Sequence, residues 1–326
     1  MRLNTVAFAE RKSVLPKNLF LASIYIIILV FLIIGIVSFV TAWDITHPDK
    51  ITTPQISSNI APDYKNISFY SSESEEKIYG WYFPARASKN TVLMVHGYGR
   101  NRLQFDEDTF KLITRFINEG FNVMTFDLRG SGSSAGSVST FGKNETKDVL
   151  SAIKYLKQQE TQKIILMGFS TGASSCLSAL TETPYRDSII GVIGDSPYST
   201  VNNYITYAIN SKCWLPSVPF DYTIDFIVKK LSKVSNDMDI IPKIPLIIPT
   251  PVLFIDGDQE DISASDNTKL LYEIYSRRSP VPVDYWNSGA KEYGKSFSEA
   301  PDKYMEKVME FVNVCVSDSE KAGKRK

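Results

Sequence analysis

One pentapeptide, Gly168-Phe169-Ser170-Thr171-Gly172, constrains the fold more than any other part of this 326-residue sequence. The β-rich run KIILM directly precedes it, and the helix-favouring run ASSCLSAL directly follows it. A serine in so abrupt a strand-to-helix bend needs small neighbours, because its backbone is strained and its hydroxyl is lifted above the sheet. The helix that follows also favours negative charge at its first turn. The pattern therefore predicts that Ser170 is a nucleophile at the end of a buried strand.

Strand-like and helical runs alternate through the chain from about residue 64, which is typical of a mostly parallel sheet built from βαβ units. The sequence predicts strands at 67–71, 78–83, 91–95, 121–126, 163–167, 189–193, 252–255 and 281–286, and helices at 106–118, 145–159, 172–180, 265–275 and 302–316. The first two strands should form a hairpin-like start to the sheet. The interval 197–250 is too long for a connector and is rich in aromatic residues, so we expect a small helical lid there.

An uncharged apolar run extends from Leu19 to Trp43. It is long enough, at about 1.5 Å per residue, to cross the hydrocarbon core of a bilayer as a helix. Basic residues dominate the 18 residues before it, whereas Asp44 and Asp49 follow it. The positive-inside rule then predicts a cytoplasmic N-terminus at the cell membrane and an extracytoplasmic remainder.

A cleaved signal peptide is the alternative, because Val40-Thr41-Ala42 resembles a cleavage site. The apolar run is nevertheless longer than the roughly 7 to 15 residues usual in a signal peptide, which favours a permanent single-pass anchor. The predicted division of the chain is a cytoplasmic segment 1–18, a transmembrane helix 19–43, a stalk 44–63, a globular domain 64–318 that contains the strands and the lid, and a basic tail 319–326.

Charge and cysteine content exclude several classes of function. Lys+Arg and Asp+Glu are equal at 36 each, so no nucleic-acid partner is expected. The three cysteines are widely spaced and form no metal-ligand pattern, and we expect neither a metal nor a cofactor. Cys176 and Cys315 lie in apolar helical stretches and are predicted to be small core residues.

A second motif, Val92-Leu93-Met94-Val95-His96-Gly97-Tyr98-Gly99, is a buried strand that ends in a His-Gly turn. Its position in the chain is that of an oxyanion loop. The backbone N–H groups of Tyr98 and Thr171 are then the predicted donors to the oxyanion of a tetrahedral intermediate. His96 is predicted to brace this turn, with a role as general base as the alternative.

Four ordered blocks, VLMVHGYGRNR, FNVMTFDLRGSGSSAG, ILMGFSTGA and PVLFIDGDQEDI, resemble the successive motifs of the α/β-hydrolase superfamily. Within it the chain is most similar to serine-aminopeptidase-like bacterial hydrolases, many of which carry one N-terminal transmembrane helix. The resemblance covers Asn66 to Val316 and implies the α/β-hydrolase fold, with an eight-stranded sheet. It also implies that the block at Asp127 to Gly130 mainly shapes a turn.

The resemblance places the catalytic acid after the late strand, where this chain reads Asp256-Gly257-Asp258-Gln259-Glu260. Glu260 occupies the acid position, and a glutamate can orient and stabilise an imidazolium as an aspartate does. Its neighbour Asp261 is one alternative. Asp195, at the end of another predicted strand, is a second alternative, because strand ends in open α/β sheets face the functional crevice.

The catalytic histidine of the family is missing. Where the resemblance implies it, the chain reads Ser288-Gly289-Ala290-Lys291-Glu292-Tyr293-Gly294-Lys295, so Tyr293 takes its place. A tyrosine with a pKa near about 10 is a poor proton acceptor at neutral pH. An unconventional base would require a lowered pKa of Tyr293, through Lys291 or Lys295, or a rearranged His96.

Three functions stay open on this evidence. The first is a serine hydrolase of ester or amide bonds that uses Ser170 with an impaired or unconventional base. The second is a catalytically inactive pseudohydrolase that binds a lipid, acyl or peptide ligand or a protein partner in the same pocket. The third is a purely structural anchor.

Overall fold

The computed structural model describes residues 15–53, 61–72, 75–212, 214–258, 262–291 and 294–323. Its strands are β1 (Lys65–Tyr70), β2 (Lys77–Phe83), β3 (Asn90–Val95), β4 (Asn122–Phe126), β5 (Lys163–Phe169), β6 (Ile189–Asp195), β7 (Val252–Asp256) and β8 (Val283–Asn287). Its α-helices are α1 (Leu15–Thr46), α2 (Asp108–Asn118), α3 (Lys143–Gln158), α4 (Thr171–Ala179), α5 (Val201–Lys212), α6 (Ser217–Ser232), α7 (Ile244–Ile247), α8 (Ile262–Ser276), α9 (Ser296–Glu299) and α10 (Pro301–Gly323).

The eight strands form one sheet in the order β1-β2-β4-β3-β5-β6-β7-β8. The pairs β1–β2 and β2–β4 are antiparallel, and every later pair is parallel. The central strands β4, β5 and β6 are buried almost throughout, as their continuous apolar runs require when helices cover both faces. The eight predicted strands are confirmed, with each end within two residues of its predicted position.

Two apolar clusters lie on opposite faces of the sheet because successive strand residues point to opposite sides. Ile165 of β5 packs in one cluster with Phe116 of α2 and Val308 of α10. The next residue, Leu166, packs in the other cluster with Val149 of α3 and, from α4, the side chain of Leu177. The sheet is therefore the middle layer of three, and the carboxyl ends of its parallel strands meet along one edge.

The interval between β6 and β7 is helical, as the sequence predicts, and consists of α5, α6, short 3₁₀ turns and α7. Some aromatic side chains of this insertion, Tyr204 among them, pack inward. The ring of Tyr204 lies 5.8 Å from that of Phe141 and 6.1 Å from that of Tyr98, measured between centroids. These rings pack the insertion against the His-Gly turn that follows β3.

Helix α1 is long and apolar enough to cross a membrane, as a membrane anchor or a signal sequence would be. Its last turns pack on the domain, mainly against α6. Ser38, Ala42 and Ile45 are fully buried, and the Ser38 hydroxyl forms a 2.7 Å hydrogen bond with the hydroxyl of Thr223 in α6. The helix also continues to Thr46, beyond the predicted end of the apolar span.

Candidate active site

Ser170 occupies the sharp turn between β5 and α4. Its dihedral angles, φ 53° and ψ −122°, lie in a region that non-glycine residues rarely adopt. The Ser170 N–H donates a 2.8 Å hydrogen bond to the carbonyl of Asp195, which ties the turn to the end of β6. The backbone of Ser170 therefore has the strained conformation predicted from the pentapeptide, and the turn lies at the carboxyl edge of the sheet.

The two glycines of the pentapeptide allow this turn to form. A Cβ atom on Gly168 would lie 2.5 Å from the Cα of Ala173, inside the first turn of α4. A Cβ atom on Gly172 would lie 2.3 Å from the carbonyl oxygen of His96. Both distances are far below van der Waals contact, so the helix approaches the turn after β3 more closely than any side chain would permit.

The His-Gly turn after β3 packs directly against the serine. A Cβ atom on Gly97 would lie 3.1 Å from the Cβ of Ser170. The Gly97 N–H donates to the Gln104 side-chain oxygen at 2.7 Å, which holds the turn in place. Tyr98 and Thr171 line one small cavity. Within the described part of the chain, the backbone N–H of neither residue donates a hydrogen bond.

His96 is held at both of its ring nitrogens. Nε2 accepts a 2.9 Å hydrogen bond from the Leu128 N–H, and Nδ1 lies 2.7 Å from the Gly97 carbonyl, to which it donates. The side chain is 2% exposed, and burial lowers the pKa of the imidazole. A neutral His96 thus connects the turn after β3 to the loop after β4. Service as a base would require Nε2, the nitrogen that carries the lone pair, to leave the Leu128 N–H.

The end of α1 and the residues after it, which we call the covering segment (residues 45–51), lie across this cavity. The Tyr98 hydroxyl donates a 2.6 Å hydrogen bond to the carbonyl of Ile45. The Ser139 N–H donates a 2.8 Å hydrogen bond to the carbonyl of Thr46. The sequence predicts a stalk over this stretch, but residues 45–51 are bonded to the domain at several points.

The covering segment leaves little space beside the two backbone donors. Pro48 lines the cavity with Tyr98 and Thr171, and the cavity volume is about 20 Å³. Lys50 fixes the far end of the segment, because its ammonium group donates a 2.8 Å hydrogen bond to the Ser134 carbonyl. A cavity of this size holds about one water molecule. The covering segment therefore limits the space on the Pro48 side of Tyr98 and Thr171.

Glu260 and Tyr293 lie outside the described residues. The strands that lead to them are neighbours, since β7 and β8 pair in parallel. Beyond the strand ends, a Cβ atom on Gly257 would lie 2.5 Å from the carbonyl oxygen of Ala290, and Asn287 donates a 2.6 Å hydrogen bond to the Asp258 carboxylate. The acid and base loops of the sequence analysis therefore start from adjacent points on the same edge as Ser170.

The Asp195 side chain points toward α10, which packs on the face of the sheet opposite to α4. Its carboxylate accepts hydrogen bonds from the Ser196 hydroxyl at 2.9 Å and from the Tyr304 hydroxyl of α10 at 3.0 Å. Complete burial raises the pKa of Asp195 to about 6, against the lowering effect of these two donors. Its backbone carbonyl, rather than its side chain, contacts the serine turn.

The charged residues of the loop after β4 shape the turn, as the resemblance implies. Asp127 pairs with Arg102 at 2.6 Å, and Arg129 pairs with Asp148 at 2.6 Å; all four side chains are buried. A buried pair of this kind is costly to break, because the remaining charge loses its partner in a poorly solvated site.

Sequence reasoning missed two parts of the site. No spacing connects Gln104 with Gly97, because the contact depends on how the loop after β3 folds back. The covering segment was also missed, since its hydrogen bonds use the backbone carbonyls of Ile45 and Thr46. A carbonyl carries no residue-type signal, so only the three-dimensional structure shows this contact.

The three-layer architecture, the strained serine turn and the His-Gly turn together form the α/β-hydrolase fold. More narrowly, the sequence model of the serine aminopeptidase (S33) family matches residues 86–240. The esterase Pf2001 of Pyrococcus furiosus superposes with a TM-score of 0.67 at 23% identity, covering 82% of this chain and 97% of that one.

Two bacterial proteins are similar in sequence. The YqkD protein of Bacillus subtilis is 27% identical over 242 residues, which is 72% of this chain and 75% of YqkD. The YfhR protein of Escherichia coli K12 is 22% identical over 250 residues, or 74% of this chain and 78% of YfhR.

Proposed function

We propose that this protein is a serine hydrolase of ester or amide bonds, with Ser170 as nucleophile and the backbone N–H groups of Tyr98 and Thr171 as oxyanion donors. One observation carries the proposal: two backbone donors without a described partner line one cavity beside a serine in a strained turn. Donors fixed in this way stabilise the charge of a tetrahedral intermediate by about 2.7–4 kcal/mol each. The esterase Pf2001, with the same fold, supports this reaction class.

Glu260 is the proposed acid, and Tyr293 occupies the position of the base. The adjacency of Gly257 and Ala290 supports this assignment, because it brings together the loops that carry both residues. A tyrosine with an ordinary pKa is almost fully protonated at pH 7, so it accepts a proton poorly. Loss of a triad base costs on the order of a millionfold in a well-characterised serine protease. We therefore expect slow turnover that rises toward alkaline pH.

A pseudohydrolase that binds an acyl, lipid or peptide ligand without turnover is the second candidate. The state of His96 favours it, since both ring nitrogens of this residue are engaged and its imidazole is neutral. The small cavity under the covering segment supports it as well, because about 20 Å³ beside Tyr98 and Thr171 holds about one water molecule.

We also propose that α1 is a permanent anchor in the cell membrane, with a cytoplasmic N-terminus and an extracytoplasmic hydrolase domain. The charge asymmetry around the apolar run supports this orientation. The packing of Ser38 and Ala42 on the domain supports retention of the helix, because cleavage after Ala42 would remove both side chains from a buried interface.

The decisive experiment measures hydrolysis of short p-nitrophenyl esters from pH 6 to 10 with the full chain in nanodiscs, since the end of α1 is part of the packed structure. The variants are Ser170→Ala and Tyr293→His. Matched controls are Ser276→Ala at the end of α8 and Tyr70→His on β1, both exposed.

If the proposal holds, wild type and Ser276→Ala hydrolyse the ester, Ser170→Ala does not, and Tyr293→His raises the rate at neutral pH while Tyr70→His leaves it unchanged. If wild type equals Ser170→Ala and only Tyr293→His gains activity, the pseudohydrolase is the correct function. Equal background rates in all of these proteins would reject Ser170 as a nucleophile.

A further inference from the structure

Helix α6 carries an apolar face that points away from the protein. Tyr222 is 74% exposed and Phe226 is 62% exposed, four residues apart on one side of the helix. Val218, 70% exposed, comes just before the regular helix, and Trp214, 92% exposed, lies in the preceding loop. We call these four residues the outer face of α6.

The opposite side of α6 is already used by the core. Ile224, Val228 and Ser232 are buried, and they are offset by two residues from the series Tyr222 and Phe226. Two residues turn an α-helix by about 200°, so the two series lie on opposite sides. The outer side also holds the Asp225–Lys229 ion pair. Large apolar rings and charged groups therefore lie together there, as they do in helices that rest in a membrane interface.

The position of α6 beside α1 points to lipid. The hydrogen bond between Ser38 and Thr223 fixes the contact of the two helices, and Thr223 is adjacent in sequence to Tyr222. Counted from Leu19, Ser38 is residue 20 of the apolar run. About 20 helical residues cross the roughly 30 Å hydrocarbon core, so Ser38 lies at its far boundary. The outer face of α6 is then at the depth of the membrane interface.

Exposed apolar residues of α1 extend to within one residue of its contact with α6. Large apolar side chains of α1 are exposed up to its packed end, among them Phe31 at 70% and Phe39 at 48%. Phe39 is one residue from the helix contact at Ser38. The bilayer that covers Phe39 therefore also reaches the outer face of α6.

The residues of this face are those that bilayer interfaces favour. Tryptophan and tyrosine are enriched where the hydrocarbon core meets the headgroups. Lys230, the next residue in the series after Phe226, holds its ammonium group 5.6 Å from the Phe226 ring centre. A lysine in this position can cover the apolar ring with its stem and extend its charge toward headgroup phosphates.

We infer that the outer face of α6 inserts into the same leaflet that α1 enters, so that the helical insertion above the active site rests in the bilayer surface and a bilayer lipid is its partner. The inference depends on the proposed membrane anchorage of α1. It places the hydrolase site within reach of amphiphilic molecules in the membrane, because α6 packs on α1, which continues into the covering segment beside that site.

The test places one fluorophore at a time on the full chain in vesicles of phosphatidylcholine with brominated acyl chains, which quench only labels in contact with lipid. Labels are attached at Tyr222→Cys and Phe226→Cys in a Cys213→Ser background. Cys176 and Cys315 are buried, and burial raises the pKa of both thiols, so they do not compete for the label.

Two control positions calibrate the measurement. Phe31→Cys reports the contact of α1 with lipid. Leu246→Cys is the control of matched exposure, since Leu246 is 60% exposed. Leu246 lies near the amino-terminal ends of the strands, because Arg186, just before β6, donates a hydrogen bond to the Leu246 carbonyl. Unchanged melting of each variant verifies the fold.

We expect labels at Tyr222 and Phe226 to be quenched as strongly as the label at Phe31, while the label at Leu246 is not quenched. If Phe31 is quenched and the α6 labels behave like Leu246, α1 is anchored but the α6 inference is wrong. Shielding of the α6 labels from both lipid and aqueous iodide would assign the face to a second copy or another protein, which also overturns it. Absence of quenching at Phe31 would instead reject the anchorage.

Discussion

Replacement of Gly172 by alanine tests the close approach on which the serine turn depends. The added Cβ would lie 2.3 Å from the His96 carbonyl oxygen and 2.5 Å from that of Val95. Both obstacles are backbone atoms at the end of β3, so relief requires α4 to move from the sheet by the better part of an ångström. Overpacking of this kind costs about 1–3 kcal/mol, or about 2–12 °C in Tm for a chain of this size class.

The measurement is thermal unfolding of the full chain, with Gly194→Ala as the control. Gly194 lies in β6, and a Cβ there would meet its nearest atom at 3.6 Å, an ordinary contact. We expect Gly194→Ala to melt close to wild type. The same displacement separates Tyr98 from Thr171, so any esterase activity should fall further than stability does. A Gly172→Ala protein that melts like wild type would refute the steric argument.

Three further predictions use the same measurements. Tyr98→Phe removes the hydrogen bond that holds the covering segment, which contributes about 0.5–1.5 kcal/mol. Labelling of Ser170 by a fluorophosphonate should therefore accelerate about 2- to 10-fold. The control Tyr275→Phe loses a comparable hydrogen bond to the Thr250 carbonyl and should show no acceleration. Burial raises the pKa of folded Asp195 to about 6, above its unfolded value. Its contribution to stability is therefore present at low pH and is lost as the pH rises through 6. In chemical denaturation, Asp195→Asn should be more stable than wild type at pH 8 but not at pH 4. Arg129→Leu leaves the buried carboxylate of Asp148 without its main partner and should cost about 3–5 kcal/mol; an unchanged denaturation midpoint would show that the ion pair is dispensable.

The fold was predictable because its signals are local. The buried strand before Ser170 is a continuous apolar run, and the glycines on either side of the serine turn have a steric function visible in the pentapeptide itself. The structural role of His96 was predictable from a local signal as well. His96 lies at the end of β3 as predicted, and it braces the turn through both ring nitrogens.

The remaining parts of the site were not predictable because they depend on distant backbone contacts. The covering segment is bonded through the Ile45 carbonyl to a tyrosine 53 positions away in the chain. Gln104 acts through a single side-chain oxygen whose partner is a backbone N–H. Neither contact produces periodicity or a residue pair with a characteristic spacing, so the sequence pattern carries no information about it.

Access and proton transfer are separate restrictions on this site. Under the proposed function the base depends on residue 293, whereas the volume beside Tyr98 and Thr171 is limited by Pro48. Because the covering segment continues directly from α1, a shift of α1 relative to the domain would strain both the Ser38–Thr223 and the Tyr98–Ile45 hydrogen bonds. On the proposed anchorage of α1, the bilayer therefore bears on the opening of the site, whether the pocket hydrolyses its ligand or only binds it.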